Sequence, residues 1–236
     1  MLATSSNGPR GGNRLPPGGI FIRADDESGA AARALQPLPA VIIQAARNSE
    51  IISQGGASGH CFLVVSGCVR TVRMLEDGRR QVGEFLLPGD VLGWEAPGGQ
   101  EFAAEAVTDA VLRRFSLRAI EERADANPAF AQGLRRYAAG QFRNMRGRLV
   151  MLGRMTACER IAAFLLEMSE RLRCLGRAID LPMGRADMAD YLGLTIETVS
   201  RGLGELRLRG AISIEQRRII IRDRGALRLA SSGRLH

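Results

Sequence analysis

The sequence contains no lysine, so all 33 of its basic residues are arginine. The first half of the chain lacks lysine as completely as the second, which favours a codon preference over selection for one ligand. Histidine is nearly absent too, with only His60 and His236. The scarcity argues against haem ligation and against a catalytic triad built on histidine.

Cysteine is also rare, and its pattern excludes two classes of site. The four cysteines are Cys61, Cys68, Cys158 and Cys174. Their spacings match neither zinc nor iron–sulfur ligation, and they do not suggest the disulfide framework of a small secreted protein. We therefore predict no metal and no cofactor. Small buried side chains are the default interpretation, and a redox-sensing thiol is the alternative.

Targeting and catalytic motifs are missing as well. Arg10 and Arg14 near the N-terminus are followed by no apolar signal core, and no apolar run reaches transmembrane length. A nucleophile elbow, a phosphate-binding loop and a metal-ligand cluster are all absent from the sequence. These observations predict a soluble, cytoplasmic protein that is not an enzyme.

The arginines that are present are distributed unevenly along the chain. Residues 1–125 hold 13 arginines against 15 acidic residues, a net charge of −2. Residues 126–236 hold 20 arginines against 10 acidic residues, a net charge of +10. A basic C-terminal half is typical of a domain that neutralises phosphates.

The first half of the chain predicts a tail followed by a small β-structure. Residues 1–40 are rich in glycine and proline and are expected to form a mobile tail. Residues 41–125 contain short strands separated by glycine turns, including a hairpin turn at Asp77-Gly78, which is typical of a β-barrel or β-roll. The first strand, before Gln54, is hard to place. The predicted strands are Cys61–Val65, Val69–Met74, Val82–Leu87, Val91–Trp94, Phe102–Val107 and Ala110–Phe115.

Residues 126–155 predict one long helix. Asn127 caps it, Pro128 takes the first helical position, and apolar residues recur every three or four positions for about seven turns. So long a seam favours a two-helix coiled coil, and packing against the protein's own roll is the alternative. The expected dimer contacts are Leu134, Ala138, Gln141, Phe142, Met145, Leu149 and Leu152.

Residues 156–236 predict a winged helix-turn-helix. A helix over Glu159–Arg173 precedes a short strand over Ile179–Met183. Two helices joined by a tight turn follow, and then a hairpin with strands Ile212–Ile214 and Ile219–Ile221 and a turn at Gln216-Arg217. Such a hairpin is the wing that many DNA-binding domains place beside their recognition helix.

The helix-turn-helix is the most informative part of the sequence. Ala189 is a small residue on the first helix, Gly193 supplies the turn, and Thr195 can cap the second helix with its hydroxyl. One apolar stripe of the second helix is predicted to be buried. The stripe consists of Ile196, Val199, Leu203 and Leu206.

A second face of the same helix has the chemistry of base reading. Arg201 can donate two hydrogen bonds to guanine, Glu197 can accept from a base amino group, and Ser200 lies on the same face. The alternative is a solvated ion pair between Glu197 and Arg201. Ile196 or Thr195 is placed to touch a thymine methyl group. The remaining predicted DNA contacts are Thr198, Arg185 and, in the wing, Arg217.

Taken together, the order of modules resembles the CRP/FNR superfamily of bacterial transcription regulators over about residues 41–230. The resemblance rests on the segments 64–67, 87–93 and 192–201 of this sequence. Within the superfamily, residues 66–71 and 77–81 look most like the FixK subgroup. It implies an α+β fold with a cyclic-nucleotide-binding-like β-roll, a dimerisation helix and a C-terminal winged helix-turn-helix.

The resemblance also implies a function. In the FNR branch the set matched by Glu197, Ser200 and Arg201 reads TTGA-type half-sites of an inverted repeat. A homodimeric activator that binds double-stranded DNA and RNA polymerase is therefore expected. The FixK likeness implies the microoxic response and nitrogen fixation.

Departures from the family bear on what the roll senses. The phosphate-binding arginine of cyclic-nucleotide pockets has no counterpart here, because no arginine lies between Arg80 and Arg113. No cysteine precedes Cys61, so the N-terminal iron–sulfur cluster of oxygen sensors is not expected. We expect a regulator active without a ligand. A sensor gated by an unidentified small molecule or by redox chemistry remains the alternative.

Overall fold

The N-terminal half forms a β-roll. The computed structural model describes residues 32–56, 59–94, 99–172, 178–216 and 218–232. Residues 32–35 form a short helix, α1. Within the described ranges, eight strands follow: β1 Val41–Ala45, β2 Glu50–Ile52, β3 His60–Ser66, β4 Val69–Met74, β5 Arg80–Leu86, β6 Val91–Leu92, β7 Ala103–Ala106 and β8 Ala110–Ser116.

The strands form two antiparallel sheets that enclose an apolar interior. Their orders are β1-β8-β3-β6 and β2-β7-β4-β5. Val64 and Leu112 from the first sheet meet Val69 and Ala104 from the second in one buried cluster. The predicted roll is confirmed, including the β4–β5 hairpin, in which Gly78 has a φ of 82°. The predicted strand ending at Trp94 is shorter than expected, because β6 ends at Leu92.

The segment before the roll packs against it. The tail predicted for residues 1–40 lies largely outside the described residues, which begin at 32. Leu35 is fully buried beside Phe115, Ile120 and Phe130. The last residues of the predicted tail are therefore part of the packed structure.

Two helices follow the roll. The first, α2 (Leu117–Ala126), was not predicted and buries Ile120. The second, α3 (Pro128–Arg154), is the predicted long helix, and the side chain of Asn127 accepts a hydrogen bond from the Phe130 amide at 3.0 Å. At a rise of about 1.5 Å per residue α3 is about 40 Å long.

The C-terminal part is the predicted winged helix-turn-helix. Its elements are α4 Ala157–Arg171, β9 Ala178–Ile179, α5 Arg185–Leu192, α6 Ile196–Leu208, β10 Ile212–Glu215, β11 Arg218–Ile221 and α7 Arg224–Ser231. The predicted strand over Ile179–Met183 is wrong in extent, since β9 pairs with β11 only through Ala178 and Ile179. Helix α7, capped by Asp223, was not predicted.

The roll and the winged helix-turn-helix share one hydrophobic core. The ring of Phe85, on β5, lies 5.1 Å from the ring of Tyr191 on α5 and 6.2 Å from that of Phe164 on α4. The three rings are almost fully buried. The helix-turn-helix therefore rests directly on the roll. Among the described helices, none has the length and apolar character needed to cross a membrane.

Candidate nucleic-acid interface

Helices α5 and α6 are joined by a turn that needs glycine. Gly193 ends α5 with a φ of 62° and a ψ of 44°, the left-handed conformation that glycine adopts with least strain. The Leu194 amide then donates to the Ala189 carbonyl at 3.0 Å. This turn directs α6 away from α5.

Local chemistry fixes the start of α6. The hydroxyl of Thr195 accepts a hydrogen bond from the Thr198 amide at 3.2 Å, so the predicted cap is confirmed. Val199, Leu203 and Leu206 are buried as predicted. Ile196 is not part of this stripe, because 47% of it is exposed. It is the first residue of α6, and the burial of this stripe begins three positions later, at Val199.

The exposed side of α6 brings together most of the predicted DNA contacts. Glu197 and Arg201 are exposed, and Ser200 and Thr198 are partly exposed. Arg201 donates to the Thr198 hydroxyl at 3.3 Å. Arg185, the first residue of α5, reaches across to donate to Ser200 at 3.2 Å. The residues thus form one polar surface at the N-terminal end of α6.

Glu197 stays ionised on this surface. Its own backbone amide, the Thr195 side chain and then the charge of Arg201 hold the pKa of its carboxyl below the usual value. In the part of the chain that the structure describes, Glu197 and Arg201 form no direct ion pair. Arg201 donates to Thr198 and Glu197 interacts with Thr195, so neither side chain is held by a direct contact with the other. The surface ion pair, which was the alternative prediction, is not formed.

The wing follows α6 in the chain, and one of its two turn residues, Gln216, is described. Strands β10 and β11 pair in antiparallel register from Ile212–Ile221 to Glu215–Arg218. The predicted contact Arg217 lies outside the described residues. Its neighbour Arg218 forms an exposed ion pair with Asp180 at 2.8 Å.

Sequence reasoning missed the groups that hold α5 in place. Asp187 is buried and accepts hydrogen bonds from Arg70 and Arg80, which belong to the roll. A buried carboxylate needs such partners, because a charge without them is costly in an apolar environment. The residues around Asp187 in the sequence do not indicate which partners, more than 100 positions away, its carboxylate contacts.

The predicted dimer seam of α3 divides into two groups. Leu134, Gln141 and Leu152 are partly buried within the chain. The other four, Ala138, Phe142, Met145 and Leu149, are exposed. The exposed fraction is 57% for Phe142, 53% for Met145 and 67% for Leu149. An apolar stripe of this kind is left uncovered in the single chain.

Burial disfavours the thiolate form of the three described cysteines. Burial raises the pKa of Cys61 and of Cys68 to about 12, and it raises the pKa of the less buried Cys158 as well. Cys174 lies outside the described residues. No group of three metal-ligating side chains occurs in the described ranges. His60 is exposed, as expected of a surface residue.

Comparisons with known proteins agree with this geometry. Residues 159–230 match the Crp-like helix-turn-helix domain, and residues 42–127 match the cyclic nucleotide-binding domain. The nitrogen fixation regulation protein FixK of Azorhizobium caulinodans is 41% identical over 216 residues, which is 89% of this chain and 86% of that protein. FixK of Rhizobium meliloti is 44% identical over 171 residues, covering 72% of this chain and 77% of that protein. The structure of FixK2 from Bradyrhizobium japonicum superposes with a TM-score of 0.77 at 40% identity, over 80% of this chain and 96% of that one.

Proposed function

Because the chain belongs to the CRP/FNR family of DNA-binding transcription regulators, we propose that it binds palindromic DNA with TTGA-type half-sites as a homodimer. The observation that carries this proposal is the surface of α6. Its apolar side is anchored in the core, whereas Glu197 and Arg201 are exposed and free of each other.

The chemistry of this surface suits base recognition. The guanidinium of Arg201 can donate two parallel hydrogen bonds to guanine O6 and N7. The carboxylate of Glu197 accepts only, so it matches the amino groups of cytosine or adenine. Ile196, exposed at the start of α6, can contact a thymine methyl group. Arg185 braces Ser200 and can turn to a phosphate when DNA is present.

The uncovered stripe on α3 supports a homodimer. Phe142, Met145 and Leu149 follow spacings of three and four residues and leave more than half of each side chain in water. A second copy of α3 would cover them and add about 25 cal/mol per Å² of apolar surface buried. Two-fold symmetry would then present two α6 helices to the two halves of an inverted repeat.

Binding without a cyclic nucleotide is proposed because three described arginines of the roll already have partners within the protein. The interior cluster is apolar. Arg70 and Arg80 are engaged by carboxylates, and Arg113 donates to the Gln36 and Leu38 carbonyls. A buried phosphate would lack the charge-assisted hydrogen bonds that it needs.

A ligand- or redox-gated regulator is the second candidate. Thermal-shift measurements against nucleotides and oxidants separate the two, since only a gated protein should gain or lose stability. The name of the FixK relatives refers to nitrogen fixation. We extend this output to the present chain as activation through RNA polymerase in the cytoplasm, under microoxic control.

The test replaces Arg201 by alanine and compares specific with scrambled DNA in mobility shifts. Each lost bidentate base contact removes about 1–3 kcal/mol, so two half-sites should lose about 2–6 kcal/mol of specific binding. Scrambled DNA should be bound almost as well as before, because non-specific binding depends on phosphates.

Arg207→Ala is the matched control. Arg207 is also exposed on α6 but lies outside the base-reading surface. Arg207→Ala should lower the affinity for specific and for scrambled DNA by the same small factor. Equal, uniform losses from both substitutions would contradict the assignment of Arg201 to base reading.

A further inference from the structure

Asp187, in the first turn of α5, joins the helix-turn-helix to the roll. One of its carboxylate oxygens accepts hydrogen bonds from Arg70 and from Arg80, both at 2.8 Å. Arg70, on β4, is held in turn by Glu105 on β7 at 2.7 Å. The side chains of Arg70 and Asp187 are only 12% and 11% exposed. Water therefore screens this contact weakly.

A second contact lies one turn further along α5. Asp190 accepts from Arg80 at 2.6 Å, and its backbone carbonyl accepts from the Gln81 side chain at 2.6 Å. Burial acts to lower the pKa of Arg80, but Asp190 and then Asp187 outweigh it and raise the pKa. Arg80 and Gln81 both belong to β5. Strand β5 of the roll thus forms hydrogen bonds with two successive turns of α5.

Helix α3 also takes part in the junction, which is the set of polar contacts between the roll and α5. Arg148 of α3 donates to the Val82 carbonyl on β5 at 3.2 Å and to the Tyr191 carbonyl on α5 at 3.1 Å. Its guanidinium also stacks on the Tyr191 ring at 4.0 Å. The roll, the long helix and α5 therefore meet at one point.

The orientation of α6 depends on that of α5. The two helices are linked by the short turn at Gly193, and Arg185 of α5 contacts Ser200 of α6. A tilt of α5 would move α6 with it. In a dimer, the same tilt would change the separation of the two DNA-reading helices.

We propose that Arg70 and Arg80 of the roll are positioning residues for DNA reading, acting through Asp187 and Asp190. This ionic junction holds α5 at a fixed angle to the roll and to α3. It thereby sets the half-site spacing that the dimer accepts, without any ligand in the roll. The inference rests on the proposed palindromic dimer and adds the residues that define its geometry.

The test uses the full-length protein with a charge reversal and its exchange. Asp190→Arg places a cation against Arg80. Arg80→Asp combined with Asp190→Arg restores opposite charges at these two positions, but it leaves Asp187 with Arg70 alone and places a second carboxylate near it. The side chains of Arg80 and Asp190 are both nearly 30% exposed, which makes the exchange tolerable. Arg73→Gln is the control, because Arg73 also lies on β4 but pairs with Glu101 at the surface.

The readout is the ratio of affinities for palindromes of native spacing and of spacing increased by two base pairs. Simultaneous engagement of two half-sites raises affinity by about 10²-fold or more, so the wild type and Arg73→Gln should prefer the native spacing by that factor. Asp190→Arg should reduce the preference to less than about 10-fold. The charge-exchange variant should recover part of it, because the pair at positions 80 and 190 is restored whereas the contact between Arg80 and Asp187 is not. A substitution that only destabilised the fold would weaken binding to both DNAs and leave the ratio of the two affinities unchanged.

Amide hydrogen exchange of residues 185–192 without DNA tests the junction independently. Hydrogen exchange should be faster by about 10-fold in Asp190→Arg and should return part of the way to the wild-type rate in the charge-exchange variant. Unchanged hydrogen exchange in Asp190→Arg, a preserved spacing ratio, or a charge-exchange variant that improves neither readout over Asp190→Arg would overturn the positioning role. A wild type indifferent to spacing would overturn the palindromic dimer instead, and hydrogen exchange would still decide the junction.

Discussion

Glu197 is an acidic residue on the proposed DNA-binding surface of α6, where it can act as a hydrogen-bond acceptor. It lies in the first turn of α6, where the positive end of the helix dipole stabilises a carboxylate. Its pKa is lowered, so it remains an acceptor at every pH near neutrality. Phosphates repel a carboxylate that lies near DNA. A carboxylate at this position therefore favours binding only if it accepts a hydrogen bond from a base.

Replacing Glu197 by alanine should therefore relax base choice. We expect about 1–3 kcal/mol less discrimination at the base that Glu197 contacts, with non-specific affinity unchanged or increased. Binding measured on a panel of half-site variants checks this. Glu205→Ala is the control, since Glu205 on the same helix pairs with Arg209. A loss of affinity shared by all sequences would contradict the role.

Residue-level prediction succeeded where the cause was local. Thr195 could be predicted as a cap because a hydroxyl before a helix has one obvious acceptor role. Ile196 was misplaced because periodicity does not reveal where packing against α4 begins. Asp187 could not be interpreted, since its partners Arg70 and Arg80 come from a distant strand.

At the level of elements, strong end signals made the helices predictable. Asn127-Pro128 predicted the start of α3. The helix predicted from Glu159 begins earlier, at Ala157, because the capping hydrogen bonds between Thr156 and Glu159 were a usable signal that the prediction did not include. Helices α2 and α7 are short and lie next to strands, so their apolar spacing was not distinguished from loop sequence. The Asp223 cap before α7 was a usable signal.

The exposed stripe of α3 makes a testable prediction about assembly. Leu149→Glu places a carboxylate on the proposed two-fold seam, so we expect the dimer to dissociate at least about 10²-fold more readily. Light scattering should then give a particle near 25.5 kDa at micromolar concentration. Arg136→Glu, on another face of α3, should leave the dimer intact. A wild type that is monomeric under these conditions would contradict the dimer.

Two glycines of α6 should respond oppositely to alanine. A Cβ on Gly202 would approach Ile161 Cδ1, on α4, too closely, whereas a Cβ on Gly204 meets nothing within 4 Å. Overpacking at Gly202 should lower the free energy of unfolding by about 1–3 kcal/mol, and Gly204→Ala should raise it by about 0.5–1 kcal/mol. Denaturant titration measures both. Equal effects would mean that α6 does not pack on α4 as described.

At the scale of the whole molecule, the order of modules was predictable but their contacts were not. The Phe85, Phe164 and Tyr191 rings come from three elements that are far apart in sequence. Arg171 of α4 forms a buried ion pair with Asp90 of the roll at 2.6 Å. Burial acts to lower the pKa of Arg171, but Asp90 and Glu167 outweigh it and raise the pKa. Such contacts depend on how complete domains dock, which local sequence patterns do not encode.

The proposed function requires the protein to bind a palindrome sequence-specifically without a ligand in the roll. Selection of DNA from a random-sequence pool by the purified full-length protein, with and without cyclic AMP, tests it most directly. We predict enrichment of an inverted repeat of TTGA-type half-sites, with centres about 10 base pairs apart, and the same repeat whether or not nucleotide is present. Enrichment of no motif, of an unrepeated half-site, or of a repeat that requires the nucleotide would contradict the account.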